Sequence, residues 1–405
     1  MSPSQNLPMG RVEFIAFCAM LSATTAFSID SMLPGLPDMA AELSPVDPNK
    51  IQLVLTSFVL GMGIGNFVAG PLSDSFGRRK IMLFGASIYC IAAFVAWRAA
   101  SLEVMLIARM VQGFGAAGPR IVSMAVIRDL YSGRQMARIM SFVMMVFTLV
   151  PAVGPLIGTG LIAISDWRGI FLAFIVFSLV SMLWMSLRLP ETLAPENKRP
   201  FKFRMLFEAT KELLSHRSVR ISILCQSTIF AFIFGMLSVV HPIYDITFDR
   251  AESFPYWFGL ISVLAGSASL LNATIVVRFG MRNVITVSFA IQMIFSLIML
   301  WLSFYPPSDA PYFVLFMIWQ TSVFFLAGMT IGNLNALAME PVGHIAGIAA
   351  SLLGGIATIL GTLIAIPVGL MFAGTPAPLA GAGALMCCAS TLLMLWLRRC
   401  EMRAN

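Results

Sequence analysis

Two long apolar segments are joined by a short polar run, residues 70–80, with the sequence Gly-Pro-Leu-Ser-Asp-Ser-Phe-Gly-Arg-Arg-Lys. The flanking segments, residues 51–69 and 81–97, contain no charged side chain. Because about 20 apolar residues span the hydrocarbon core of a bilayer, this run is predicted to be a turn between two spanning helices. Three basic residues lie in it, and basic residues concentrate in cytoplasmic loops. The turn is therefore expected to face the cytoplasm.

Individual residues of this turn have predicted structural roles. Gly70 and Gly77 allow the helix ends to pack closely, since glycine has no side chain. Asp74 is expected to cap the following helix and to pair with Arg78. Arg79 follows Arg78 as the second of the three basic residues of the turn.

The composition is that of a membrane protein. The 405 residues are 59% hydrophobic and 11% charged, with a mean hydropathy of +0.88, which excludes a soluble domain. The net charge of +7 lies in alternating loops, so it indicates topology in an anionic bilayer and not a nucleic-acid partner. The six cysteines lack metal-binding spacing, so neither a metal nor a cofactor is expected.

Hydropathy predicts an all-α membrane protein with twelve transmembrane helices. The predicted spans are 13–34, 50–70, 80–98, 103–126, 137–163, 169–188, 220–243, 255–276, 284–304, 311–336, 347–372 and 377–397. Residues 1–190 and 220–405 are each expected to form a six-helix bundle. Between them, residues 191–219 form a predicted cytoplasmic linker with an amphipathic helix at the membrane surface.

The loop charges predict that both termini are cytoplasmic. Of the 26 lysine and arginine residues, only Lys50, Arg98, Arg168 and Arg250 lie in the opposite loops. The two halves also resemble each other weakly, because residues 278–282 follow the eighth span as residues 76–79 follow the second. Paired halves are a transporter architecture, with a central site expected at their interface near the middle of the membrane.

Ionisable residues inside a span are costly and therefore indicate function. Asp30 lies toward the outer end of the first span, and a carboxyl group partly removed from water can take up and release protons as its exposure changes. Arg109 in the fourth span lies at a similar depth, so the two side chains are predicted to pair across the cavity. The alternatives are a carboxylate that only caps a helix and a structural salt bridge.

Other polar residues within spans are candidates for the substrate-binding cavity. Arg120 is either a positive subsite for an anionic group or an arginine that reaches the inner surface. His241 is either a titrating group or a hydrogen-bonded wall residue. The full set of substrate-binding candidates is Arg120, Gln112, Asn333, Asn335, Gln226 and His241. In the fifth span, Gly154, Pro155 and Gly158 predict a hinge or seal at a helix interface.

The turn at residues 70–80 resembles the loop signature of the major facilitator superfamily. Further motifs resemble its drug:proton antiporters, including the Arg109-to-Gly113 region of span four and the Gly154-to-Gly158 region of span five. The segments at residues 28–30, 127–131, 140–142 and 189–192 are similar to the Bcr/CflA group of multidrug-resistance exporters. This resemblance implies the major facilitator fold and an arginine, matched by Arg109, that acts in proton transfer.

The resemblance also implies a cytoplasmic charge cluster of Asp74, Arg78 and Asp129 that holds the outward-facing state. Three departures stand out: Thr159 replaces a glycine, Arg120 occupies a position expected to be small or neutral, and the second-half copy of the loop motif lacks its aspartate.

Together these observations predict a proton-coupled exporter of small amphipathic drugs or metabolites, working by alternating access. It is expected to be a monomer in the bacterial inner membrane, with protons, a small-molecule substrate and lipid as its partners. The alternative is a symporter or exporter of one small anionic metabolite that uses Arg120. An enzyme is not expected, because the three histidines form no metal-binding or nucleophile–base motif.

Overall fold

The computed structural model describes residues 9–198, 200–201 and 203–404, and all regular structure in these residues is helical. The α-helices of this part of the chain are α1 (Arg11–Asp30), α2 (Leu36–Leu43), α3 (Leu53–Phe76), α4 (Arg78–Trp97), α5 (Leu102–Leu130), α6 (Gly133–Ile164), α7 (Arg168–Arg188), α8 (Phe203–Ser215), α9 (Arg217–Pro242), α10 (Phe254–Phe279), α11 (Met281–Phe304), α12 (Asp309–Met339), α13 (Ala346–Leu370) and α14 (Ala377–Ala404).

Twelve helical segments of the described chain are long and apolar enough to cross a membrane, which confirms the predicted number. The first of them is interrupted at Leu33–Gly35, where Pro34 and a short 3₁₀ turn separate α1 from the unpredicted helix α2. Helix α8 occupies the linker where an amphipathic helix was predicted. Its position at the membrane surface stays a prediction.

The chain divides into two compact units, Met1–Phe203 and Arg204–Asn405, each with its own helix packing. In the first unit α3 and α4 pack against α5, α1 against α6, and α4 against α7. In the second unit α10 and α11 pack against α12, α9 against α13, and α11 against α14. The same order of packing therefore recurs in both units, as the weak sequence repeat predicts.

Helices α3 and α5 are in backbone contact because glycines face the partner helix. A Cβ atom built on Gly113 of α5 would lie 1.8 Å from the carbonyl oxygen of Phe58 in α3. A Cβ atom on Gly61 of α3 would lie 1.8 Å from the carbonyl oxygen of Met110. Small residues permit such close approach in membranes, and here it presses the buried face of α5 against α3.

The prediction of a free turn at residues 70–80 was wrong in its extent. Helix α3 continues to Phe76 and α4 begins at Arg78, so the two helices are separated by the single residue Gly77. Gly77 has a φ of 108°, which a residue with a side chain rarely adopts. Asp74 lies within α3 and caps nothing, because the cap position of α4 is Gly77 itself.

Candidate functional site

Arg109 is the centre of a buried hydrogen-bond network in the first unit. Its side chain has no exposed surface, and the N–H groups of its guanidinium donate to three acceptors. Nε binds the carbonyl oxygen of Val54 in α3 at 3.3 Å, Nη1 binds Oε1 of Gln112 at 2.7 Å, and Nη2 binds the carbonyl oxygen of Ser28 in α1 at 3.0 Å. The ring of Phe58 lies 4.4 Å from the guanidinium carbon, within cation–π range.

Arg109 of α5 reaches α1 but forms no ion pair with Asp30 in this structure, so the predicted pairing was wrong for this conformation. Arg109 instead binds the backbone two residues before Asp30. The physical reason is geometric: the guanidinium already meets carbonyl groups of α1 and α3 and an amide of its own helix. The Asp30 carboxylate is 4% exposed and has no hydrogen-bond or ion-pair partner among the described residues.

The glycines of α6 pack directly on the end of α1 that carries Asp30. A Cβ atom on Gly154 would lie 2.8 Å from the Cβ of Asp30, and one on Gly158 would lie 2.0 Å from the carbonyl oxygen of Ser31. Pro155 lies between these glycines and has no backbone N–H, so one hydrogen bond of α6 is missing there. The fifth-span motif is thus the wall against which the buried carboxyl group is held.

Arg78 joins three elements at one end of the first unit. Its Nε donates to Oδ2 of Asp129 at 2.9 Å, and its Nη1 donates to Ser73 Oγ at 2.7 Å and to Asp74. The Ser73 hydroxyl in turn donates to the carbonyl oxygen of Gly70 at 2.7 Å. The structure therefore brings together Asp74, Arg78 and Asp129, with Gly70 one turn earlier in α3.

Glu191 is a functional candidate that sequence reasoning missed. Its carboxylate accepts the backbone N–H groups of Arg78 at 2.8 Å and Arg79 at 3.3 Å, and so caps the first turn of α4. The neighbouring Thr192 donates its hydroxyl to Asp129 at 3.2 Å. The sequence does show an acidic residue shortly after the sixth span. It does not show that this residue caps α4, which begins more than a hundred residues earlier in the chain.

Arg120 of α5 is a second cation in the span, half-buried and without a carboxylate partner among the described residues. Its Nη1 lies 3.8 Å from Sδ of Met62, and its guanidinium carbon lies 5.4 Å from the ring centre of Phe147. A thioether is a weak acceptor and a ring accepts no conventional hydrogen bond. Most of its donor capacity is therefore unused.

In the second unit the predicted polar residues bind one another across helices. Gln226 in α9 donates to Oδ1 of Asn335 in α12 at 3.1 Å, and Asn333 donates to Oδ1 of Asn272 in α10 at 2.8 Å. His241 is 6% exposed and packs edge-on against an aromatic ring. Gln112 in the first unit has no exposed surface and binds Arg109, so it supports that side chain.

The second unit repeats the arginine cluster at its own helix junction. Gly280, with a φ of 78°, precedes α11, and Arg282 in the first turn binds Glu340 after α12 at 3.0 Å and Glu401 of α14 at 2.8 Å. Glu340 here occupies the place of Asp129, and Glu401 of α14 supplies the second acid that Asp74 supplies in the first unit.

Known proteins resemble this chain over most of its length. The sequence profile described as Major Facilitator Superfamily matches residues 14–365. The bicyclomycin resistance protein homolog of Haemophilus influenzae is 30% identical over 375 residues, which cover 90% of this chain and 91% of that protein. The multidrug resistance protein D of Escherichia coli is 26% identical over 367 residues, 86% of each chain.

Among solved structures, a D-xylose-proton symporter superposes with a TM-score of 0.77 at 15% identity, covering 95% of this chain and 97% of that one. At this identity the likeness concerns the fold alone.

Proposed function

The chain belongs to the major facilitator superfamily and is a multi-pass membrane transporter of small molecules, and from that premise we propose that it is a proton-coupled exporter of amphipathic compounds. The proposal places it in the bacterial inner membrane, with both termini in the cytoplasm, working by alternating access. Support for export of drugs comes from relatives described as bicyclomycin resistance and multidrug resistance proteins. The basic loops support the orientation.

The single observation that carries the proton coupling is the buried, unpartnered carboxyl group of Asp30. A carboxylate without a cation or donor is costly in such surroundings, so the proposal assigns Asp30 the neutral, protonated form in this conformation. Arg109, bound to the backbone of the same helix at Ser28, lies where it can receive the charged form. Loss of the proton would then favour rearrangement of the Arg109 network.

Coupling requires that proton binding and substrate binding favour different conformations. A ligand shifts such an equilibrium only by its unequal affinity for the two states. Because α6 packs on the Asp30 end of α1 through Gly154 and Gly158, a change in charge there acts directly on a helix–helix contact. The cluster of Asp74, Arg78 and Asp129 is proposed to hold the cytoplasmic ends of α3, α4 and α5 in one of the two states.

Asp30→Asn tests this proposal, because asparagine keeps the shape of the aspartate side chain but cannot bind or release a proton. We expect proteoliposomes with an imposed pH gradient to lose efflux of bicyclomycin and of chloramphenicol. We expect binding of the same compounds, measured by tryptophan quenching, to remain. Glu42→Gln is the matched control. Glu42 lies near the end of α2, binds Trp167 and Arg168, and is not assigned a role in proton coupling. Full gradient-driven efflux by Asp30→Asn would refute the proton role.

A second candidate function is transport of one small anionic metabolite, and the unused donors of Arg120 favour it. In the low dielectric of a span such a cation gains from an anionic partner, and no residue of the described chain supplies one. Arg120→Gln should then lower transport of carboxylate compounds at least about tenfold, as expected for loss of one buried charge-assisted contact, and spare neutral ones. Equal loss for both compound classes would instead assign Arg120 a structural role.

A further inference from the structure

The second unit contains a cavity of about 620 Å³ between α10, α11 and α12. Its walls are apolar and include Ile275, Phe279, Val287, Ile291 and Phe295. Val287 and Ile291 are about half exposed, at 55% and 48%, so the cavity opens on the outer, apolar surface of these helices. In a spanning bundle such a surface faces hydrocarbon.

Three polar side chains of α11 line this cavity; Asn283 is hydrogen-bonded to Phe279 and Arg398, and Ser288 and Gln292 lie one helical turn apart. Gln292 is 2% exposed, and its Nε2 has no hydrogen-bond partner among the described residues. Ser288 also has none in that part of the chain. By contrast, the hydroxyls of Thr321 and Ser322 in the same cavity bind backbone carbonyls of α12 at 2.7 Å. Only α11 therefore presents unsatisfied polar groups to the cavity in the described residues.

An unpaired amide in an apolar environment is costly, so a ligand that pairs with it gains affinity. Because no described residue binds either atom of the Gln292 amide, the amide can turn over and present its N–H₂ group to the cavity without breaking a hydrogen bond. The hydroxyl of Ser288 is a second donor on the same face. The complementary ligand carries a hydrogen-bond acceptor within an apolar body.

The depth of the polar pair decides between a lipid and another ligand. Gln292 lies near the middle of α11, roughly 16 Å along the helix from Met281 at a rise of about 1.5 Å per residue. That is about half of a hydrocarbon core roughly 30 Å thick. Phospholipid carbonyls lie at the interface, and acyl chains carry no acceptor at this depth, so a lipid would leave the amide unsatisfied.

We propose that this cavity is a membrane-facing binding site for an uncharged apolar molecule with one carbonyl acceptor, held by Gln292 and Ser288. Its volume lies within the range of small-molecule sites, and a few polar groups among apolar walls are typical of such sites. The inference concerns binding only and does not depend on proton coupling or on the direction of transport.

Benzophenone tests the site, because it has an apolar body and one carbonyl, and on irradiation it labels nearby C–H bonds. In nanodiscs containing the full chain we expect saturable labelling of Leu326 and Met329, which line the cavity, detected by peptide mass spectrometry. Gln292→Leu should weaken this labelling about threefold to tenfold, the effect of one hydrogen bond. Diphenylmethane, which lacks the oxygen, should compete correspondingly less well than unlabelled benzophenone.

Background labelling is measured at Leu270, which is 75% exposed and lies outside the cavity. If Gln292→Leu fails to fold, Ser288→Ala and the cavity-filling Ile291→Trp replace it, and both should lower labelling. The proposal is overturned if labelling at Met329 is no more saturable than at Leu270. It is also overturned if added phosphatidylglycerol displaces the probe while Gln292→Leu has no effect, since the cavity would then be a lipid-covered surface.

Discussion

At the scale of single residues, Arg109 shows how a cation is kept within a membrane span without a carboxylate. A guanidinium carries five N–H donors in a fixed planar arrangement. Here the acceptors are two backbone carbonyls, of Ser28 and Val54, and the amide oxygen of Gln112. The same contacts tie together α1, α3 and α5, so one side chain is both a buried charge and a joint between helices.

Arg109→Lys is expected to abolish transport and to lower stability. A lysine keeps the charge but cannot reach three acceptors in three directions. Two lost charged hydrogen bonds cost about 3 kcal/mol or more. Unfolding of purified protein in detergent, followed by tryptophan fluorescence, measures this loss. Arg138→Lys is the matched control, because Arg138 is exposed and its guanidinium carbon lies 5.9 Å from the centre of the Phe142 ring, with no ion pair among the described residues. Similar stability changes in both variants would contradict the joint role.

At the scale of the helical elements, the contact between α1 and α6 is set by two missing side chains. Gly154 and Gly158 let α6 approach Asp30 and Ser31 closely, so the position of α6 depends on the end of α1. A third glycine of this helix, Gly160, has nothing within 4 Å of the place where its Cβ would lie. Gly160, which faces open space, can therefore serve as the control for Gly158, which packs against α1.

Gly158→Ala should lower stability by about 1–3 kcal/mol, the usual cost of overpacking, because its methyl would meet the carbonyl of Ser31. Gly160→Ala should be neutral or stabilise by up to about 1 kcal/mol, since glycine is unfavourable within a helix. Denaturant midpoints of the two variants in the same detergent compare them. If Gly160→Ala proved the more damaging, α6 would not pack on α1 as described.

Sequence reasoning identified the elements well because hydrocarbon imposes a length and a composition on every span. The twelve spans follow from local sequence, whereas the first predicted span ended at Pro34 and helix α2 beyond it was not predicted. The partners of Arg109 and Glu191 did not, because these contacts join helices far apart in the chain and several acceptors are backbone carbonyls. No side-chain pattern marks a carbonyl that will face a guanidinium, and pairing opposite charges led to Asp30 instead.

At the scale of the whole molecule, the two units repeat one another in packing and in one charge cluster. In each, a glycine with positive φ precedes a helix whose first turn carries an arginine, Arg78 or Arg282. Each arginine binds an acid at the end of the following helix, Asp129 or Glu340. The clusters differ in exposure: the Asp129 side chain is 23% exposed and that of Glu340 is 45% exposed. The repeat is therefore unequal in strength.

Asp129→Asn is expected to cost about 1.5–3 kcal/mol, the range for hydrogen bonds to charged groups, since the Arg78 side chain is only 9% exposed, although it keeps its contact with Asp74. Glu340→Gln should cost less than about 1 kcal/mol, as for exposed ion pairs, because Arg282 keeps Glu401. The partners of each cluster belong to one unit, and the two share no residue. The double variant should therefore lose the sum, within about 0.5 kcal/mol, in denaturant unfolding. A larger departure from additivity would mean that the two clusters act on a common equilibrium, such as a change of access. The free energy of unfolding of one unit would then depend on the charge cluster of the other.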